Sequence, residues 1–123
     1  PLEKNPDFVG TRKGILRPDT LSLEERNKLI KEHPEYGNII CRCEMITEGE
    51  IIDAIHRPLG ARSLDGVKRR TRAGMGRCQG GFCSPQVVRI IAEFLGVPLS
   101  EVRKSSADAP ITFGPTKSGE VQA

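Results

Sequence analysis

The 123-residue chain has no tryptophan, one tyrosine and four phenylalanines, so any interior must be aliphatic. No apolar run approaches the about 20 residues that span a bilayer as a helix, and the start, PLEKNPDFVG, lacks the basic-then-apolar pattern of a secretory signal. These absences speak against a membrane-spanning or exported chain, and a cytosolic setting is expected. The initiator methionine is missing too, which suggests a piece cut from something longer. No internal repeat is evident, and no run alternates well enough to be a strand. No set of side chains reads as nucleophile, base and orienter, so the chain by itself carries no expected catalytic residue.

What is present is a mild excess of positive charge, unevenly spread. The net charge is +3, yet between His56 and Arg77 seven basic residues (Arg57, Arg62, Lys68, Arg69, Arg70, Arg72 and Arg77) face one acid, Asp65. The basic segment KRRTR could be a solvated helix face, a docking patch or a nucleic-acid contact. With no aromatic interleaved, nucleic acid is not expected, and Lys68, Arg69 and Arg72 make a better surface for an acidic partner protein.

Local signals divide the chain into an arm over 1–38, a denser domain over 39–104 and a small, polar tail over 105–123 that is expected to be loose or to lie over another surface. In the arm, Ser22 and Glu25 form a capping box before LEERNKLIKEH, a helix that Pro34 stops. In the domain, Thr47 and Glu50 form a second box flanked by Ile46 and Ile51 at the staple positions, so TEGEIIDAIHR begins a helix with Ile51, Ile52 and Ile55 on its apolar face. Ser63 is placed to cap LDGVKRRTR. Ser84 is read as a cap with Pro85 in the first turn of PQVVRIIAEFL, where Val87, Val88, Ile91, Phe94 and Leu95 recur at helical spacing until Gly96. Pro98 and Ser100 open a last short helix containing Val102. The expected fold is all-α: two helix-turn-helix pairs with an extended N-terminal arm and a loose C-terminal tail.

The four cysteines fall into two pairs, Cys41 and Cys43 as CRC and Cys78 and Cys83 as CQGGFC, giving C-x-C-x34-C-x4-C with none left over. Two disulfides would need an oxidising compartment, and a bridge within C-x-C would be strained. Four-thiolate zinc has the right ligand number, but structural zinc favours C-x2-C knuckles, and neither pair has that spacing. An iron-sulfur cluster spreads four thiolates over a wider object and accepts uneven pairs. Its negative charge also explains the setting. Both pairs precede an expected helix start, whose free N–H groups and positive dipole end could face the site. Gly74, Gly76, Gly80 and Gly81 let backbone approach sulfur closely, and the basic segment adds positive potential.

At these residues the chain resembles a known family. ICRCEMITEGEIIDAI followed by ARSLDGVKRRTRAGMGRCQGGFCSPQVVRII is similar to the [2Fe-2S] domain of the bacterioferritin-associated ferredoxin (BFD-like) type. The likeness is greatest to the version at the C-terminus of anaerobic-type FAD-dependent glycerol-3-phosphate dehydrogenases. It covers about Tyr36 to Lys104, and FVGTRKGILRP looks like the stretch leading out of that enzyme's flavin part. The stand-alone ferredoxin has two residues between its last two cysteines where this chain has four, which favours the dehydrogenase-attached branch.

The resemblance implies that Cys41, Cys43, Cys78 and Cys83 hold a [2Fe-2S] cluster, with Gly76, Gly80 and Gly81 lining it and the two helix-turn-helix pairs clasping it. It implies an electron-transfer module that accepts electrons singly from reduced FAD in the missing part of the same polypeptide and hands them to a further carrier, for which the basic surface read above offers a docking site if that carrier is acidic. The implied setting is cytoplasmic, with membrane association through the parent complex. In an isolated fragment the cluster could be lost or replaced by zinc. Two other readings stay open: a ferredoxin-like partner-binding module of another FAD oxidoreductase, and a structural zinc module. His56 could replace a thiolate in a mixed-ligand site, but a surface position at a helix end is the simpler account. Met75 is expected to shield the site from solvent.

Overall fold

The computed structural model describes residues 2–114. Four α-helices form: α1 (Leu23–Glu32), α2 (Glu48–His56), α3 (Leu64–Thr71) and α4 (Ser84–Leu95). Both capping boxes are made. Ser22 and Thr47 each accept from the N–H three residues on, at 3.3 Å, while Glu25 and Glu50 accept the reciprocal bonds from the cap N–H groups. Ser63 caps α3 through the Gly66 N–H at 3.1 Å. α4 departs from expectation at its start: Cys83 is the N-cap residue and Ser84 is already helical, with Pro85 accommodated in the first turn, where its missing N–H has no helical partner to lose. Gly96 closes α4 in the left-handed conformation.

One short β-pair forms that alternation did not reveal. β1 (Ile39–Cys41) runs antiparallel to β2 (Ile46–Thr47), pairing Ile39 with Thr47 and Cys41 with Ile46 across a bulge. Strands of three and two residues are too short for a period-2 pattern to emerge, and the pair is held by what it precedes: Ile40, Ile46 and Thr47 are buried under α2.

α2, α3 and α4 pack around Ile51, Ile55, Val67, Val87, Ile91 and Val102, all fully buried, and each contributes about 1.5–3 kcal/mol by leaving water. Ile52 and Leu95 pack partly buried against this core, whereas Phe94 sits at its edge, 41 % exposed, with its ring 4.5 Å from that of His56 and the Arg62 guanidinium 5.3 Å above it. The expected last helix is only a single 3-10 turn, Leu99–Glu101, with Val102 just beyond it. The chain then folds back, so that the described part of the tail lies over another surface of the domain, the second of its two expected courses. The N–H groups of Leu64 and Asp65 in the first turn of α3 donate to the carbonyls of Arg103 and Lys104, Arg103 bridges to Pro110, and Ile111 packs on the core. Free N–H groups at a helix start must find acceptors, and this return strand supplies two. Residues 115–123 of the tail lie outside the described residues.

In the arm, α1 buries no residue. The attachment comes after it, where the Tyr36 hydroxyl donates to Asp53 of α2 at 2.7 Å. Burial and the facing Asp53 carboxylate raise the Tyr36 phenol above its ordinary range. Among the described residues, no helix is long and apolar enough to cross a membrane.

Candidate metal centre

Each thiol is placed by a local backbone device. Cys41 ends β1 and Cys43 sits in the turn that follows, reversed at Met45, which takes a left-handed φ of 55°. On the other side α3 stops at Arg72, itself left-handed, and the loop from Ala73 to Phe82 turns through Gln79 and Gly80 at φ 50° and 83°. Gly80 is fixed by conformation, since a side chain there would also meet the Ser84 hydroxyl at 2.6 Å. Gly76 is fixed by contact: a Cβ would run into that of Cys43 and lie 3.2 Å from its sulfur. The loop ends in Cys83 at the head of α4.

The two pairs are thereby brought together. All four cysteines are free thiols lining one cavity of about 540 Å³, with Ile39, Arg42, Phe82 and Gln86 among its other walls. Cys43 and Cys78 approach to 3.6 Å between sulfurs near the surface, while Cys41 and Cys83 are neighbours in the interior, 1 % and 2 % exposed. Their surroundings differ. Burial raises the Cys83 thiol to about 11, reinforced by the adjacent Cys41. Cys78 is held below the ordinary thiol range, first by the Phe82 N–H, then by Cys43 and by the N–H groups of Gly80 and Gly81. The Gly81 N–H itself donates to the Cys78 carbonyl at 3.0 Å, so this run of loop N–H groups favours the thiolate by its dipoles.

α2 does not contribute in the expected way. Three N–H groups at its start are taken elsewhere, Thr47 by Glu50, Glu48 by the Asn38 carbonyl and Glu50 by Thr47. Of the basic residues, Arg72 is paired with Glu44 at 2.7 Å, which ties the residue after Cys43 to the end of α3 and removes Arg72 from a free docking surface. Arg69 stays exposed. His56 lies at the exposed C-terminal end of α2 against Phe94, outside the thiol cavity, and Met75 is half-buried and also outside its walls. Phe82 is the residue that sequence reasoning missed. It is 83 % exposed beside the thiols, and the only hint was an aromatic directly before a cysteine in a chain with few aromatics.

The donor set fits a cluster better than a lone ion. A separation of 3.6 Å is near the about 3.8 Å edge of a tetrahedron built on 2.3 Å metal–sulfur bonds, so the outer pair can share one metal. Among the described residues, no three or more His, Cys, Asp or Glu side chains converge on a single-ion position. Four thiols from two loops around one cavity suit a wider anionic group.

Comparison with known proteins bears on the same segment. Residues 39–93 match the model of the BFD-like [2Fe-2S] binding domain. The chain is 55 % identical over 121 residues to a glycerol 3-phosphate dehydrogenase of Caloramator mitchellensis, a match covering 98 % of this chain and 25 % of that protein. It is 47 % identical over 55 residues to the hydrogen cyanide synthase protein HcnB of Pseudomonas aeruginosa, covering 42 % of this chain and 11 % of that one. It is 39 % identical over 59 residues to a component of the anaerobic glycerol-3-phosphate dehydrogenase of Escherichia coli K12, covering 48 % and 11 %. The chain thus spans a quarter or less of the length of these relatives. No solved structure matches it.

Proposed function

Residues 39–93 form a BFD-like [2Fe-2S] binding domain, and from that premise we propose that the chain is the electron-transfer segment of an FAD-dependent glycerol-3-phosphate dehydrogenase. It lies downstream of the flavin-bearing part of the polypeptide and passes electrons from reduced flavin to a further acceptor. The observation that carries this reading is the meeting of four thiols from loops 34 residues apart around one cavity, inside the matched segment. The near-complete alignment of this chain with the Caloramator protein, arm included, supports the dehydrogenase in particular.

Cys41, Cys43, Cys78 and Cys83 would hold the cluster. When bound, such a cluster supplies one-electron transfer. The protein's own groups prepare the site for negative charge: the loop N–H groups of Phe82, Gly80 and Gly81 favour the Cys78 thiolate, and neither glycine brings a side chain to the loop. Gly76 allows the loop to press against Cys43, and the Glu44–Arg72 pair holds the first cysteine loop to the end of α3. Burial of Cys41 and Cys83 keeps water from the inner side, while exposure of Cys43 leaves the outer side open to a partner. The acceptor is an acidic protein docking where Arg42 and Arg69 are exposed. The working place is the cytoplasm, with attachment to the membrane through the parent complex.

A second reading, service in another oxidoreductase, draws on the 47 % identity to HcnB. Iron and sulfide analysis with electron paramagnetic resonance on anaerobically purified protein tests the cofactor. Two irons per chain and a signal that appears on dithionite reduction are expected by the family's cluster type. A colourless protein carrying stoichiometric zinc under those conditions would overturn the proposal. Steady-state reduction of an acceptor by glycerol 3-phosphate then separates the two enzyme readings.

A further inference from the structure

We propose that a second, polar cavity, between the arm, the end of α2 and the end of α3, binds a phosphate-class oxyanion. It encloses about 520 Å³, no cysteine lines it, and its charged walls are Arg17 from the arm, Arg57 after α2, Arg70 and Arg72 at the end of α3, and two acids, Glu44 and Glu50. Arg17 is paired with Asp19 at 2.7 Å and Arg72 with Glu44, so Arg57 and Arg70 face one remaining carboxylate, Glu50, and one positive charge is left over for an anion.

The two wall acids do not serve Arg57 or Arg70. Glu44 accepts from Arg72. Glu50 is 3 % exposed and its carboxylate is turned into the capping box, accepting from the Thr47 N–H at 2.8 Å and the Thr47 hydroxyl at 2.9 Å. Arg70 is held in place by carbonyls, of Gly66 at 2.9 Å and Leu59 at 2.6 Å, which orient it without neutralising it. Arg57 has no carboxylate within ion-pair distance among the described residues, and its Nε is buried with no hydrogen-bond partner. A buried guanidinium N–H without an acceptor is costly and therefore rare. A water molecule would supply an acceptor and leave the charge surplus in place. A phosphate oxyanion supplies both acceptor and charge, and its geometry suits the planar fork of a guanidinium.

The ligand class is inorganic phosphate or a small phosphomonoester, which present the same oxygen face. Bound there, it would join the arm, through Arg17, to the helical domain, through Arg57 and Arg70.

The test uses the whole chain with its arginine side chains labelled for NMR, the Arg57 Nε–H resonance being assigned by its loss in Arg57→Gln. Inorganic phosphate and methyl phosphate are titrated separately at ionic strength held constant with chloride. A saturable, one-to-one shift of the Arg57 resonance is expected. Arg70→Gln should weaken it about tenfold, and Arg69→Gln, exposed and outside the cavity, should leave it unchanged. Response to inorganic phosphate alone identifies the free ion as ligand; an equal or tighter response to methyl phosphate identifies the monoester. Absence of a saturable shift, an equal shift with chloride alone, or equal weakening by Arg69→Gln would overturn the proposal. Should Arg57→Gln not fold, the Arg70→Gln and Arg69→Gln comparison by calorimetry decides it.

Discussion

Substituting Gly76 by alanine tests how closely the two cysteine loops must approach. The added methyl would run into the Cys43 Cβ and lie 3.2 Å from its sulfur and 3.4 Å from its Cα, so neither a rotamer change nor a side-chain shift relieves it. The loops must separate. Overpacking of this kind costs about 1–3 kcal/mol, and in a domain near 100 residues each kcal/mol lowers Tm by about 4–8 °C. The effect on the site should exceed the effect on the fold, because Cys43 and Cys78 stand 3.6 Å apart and a group bridging them tolerates little displacement. We expect Gly76→Ala to retain helical content, melt lower by that amount, and lose most of its iron and visible absorbance after anaerobic purification. Gly14→Ala is the control, since nothing lies within 4 Å of a Cβ there. Wild-type iron content and Tm in Gly76→Ala would refute the reasoning, for then the loops do not meet at this contact.

Cys78→Ser removes the thiolate that the loop N–H groups favour, and should abolish colour and lower thermal stability together, since metal binding and folding are coupled. A variant that melts like wild type and keeps its spectrum would exclude Cys78 as a ligand. Thr47→Ala should destabilise by about 0.5–2 kcal/mol in chemical denaturation, towards the upper end, because Glu50 is 3 % exposed and loses a bond from the threonine hydroxyl. Ser22→Ala, in the exposed box of α1, should cost less; equal costs would argue against the burial effect. Tyr36 is the only tyrosine in the sequence, which makes its titration unambiguous in the near ultraviolet. Its folded pKa is raised, so its contribution to stability is fully present below the ordinary tyrosine pKa and is lost as pH rises through the folded value. Ionisation at the ordinary tyrosine pKa in the folded protein would mean that the Asp53 bond is not kept in solution.

Much of the helical framework was legible because it depends on neighbours in sequence. Both capping boxes, the Ser63 cap and the Gly96 stop involve partners three or four residues apart, and the isoleucines of α2 declare their face by spacing alone. The misreadings share a different cause. The β-pair was too short to alternate, and the return of residues 103–111 onto α3 rests on backbone carbonyls, which every residue carries and no composition reveals. At the start of α2 the capping box was local and legible, but the Glu48 N–H is taken by the Asn38 carbonyl ten residues away, which no spacing announced.

The amino-acid order by itself settled the pairing of cysteines into two clusters, the glycines between them and the helices behind them, because these are local facts of spacing and backbone freedom. The tertiary structure alone decided which sulfurs face each other, which are sheltered and which exposed, where Arg72 spends its charge, and that four arginines from three segments share a cavity. Those outcomes depend on how helices far apart in the chain pack around Ile51, Ile55 and Ile91, and packing fixes distances that no sequence separation encodes.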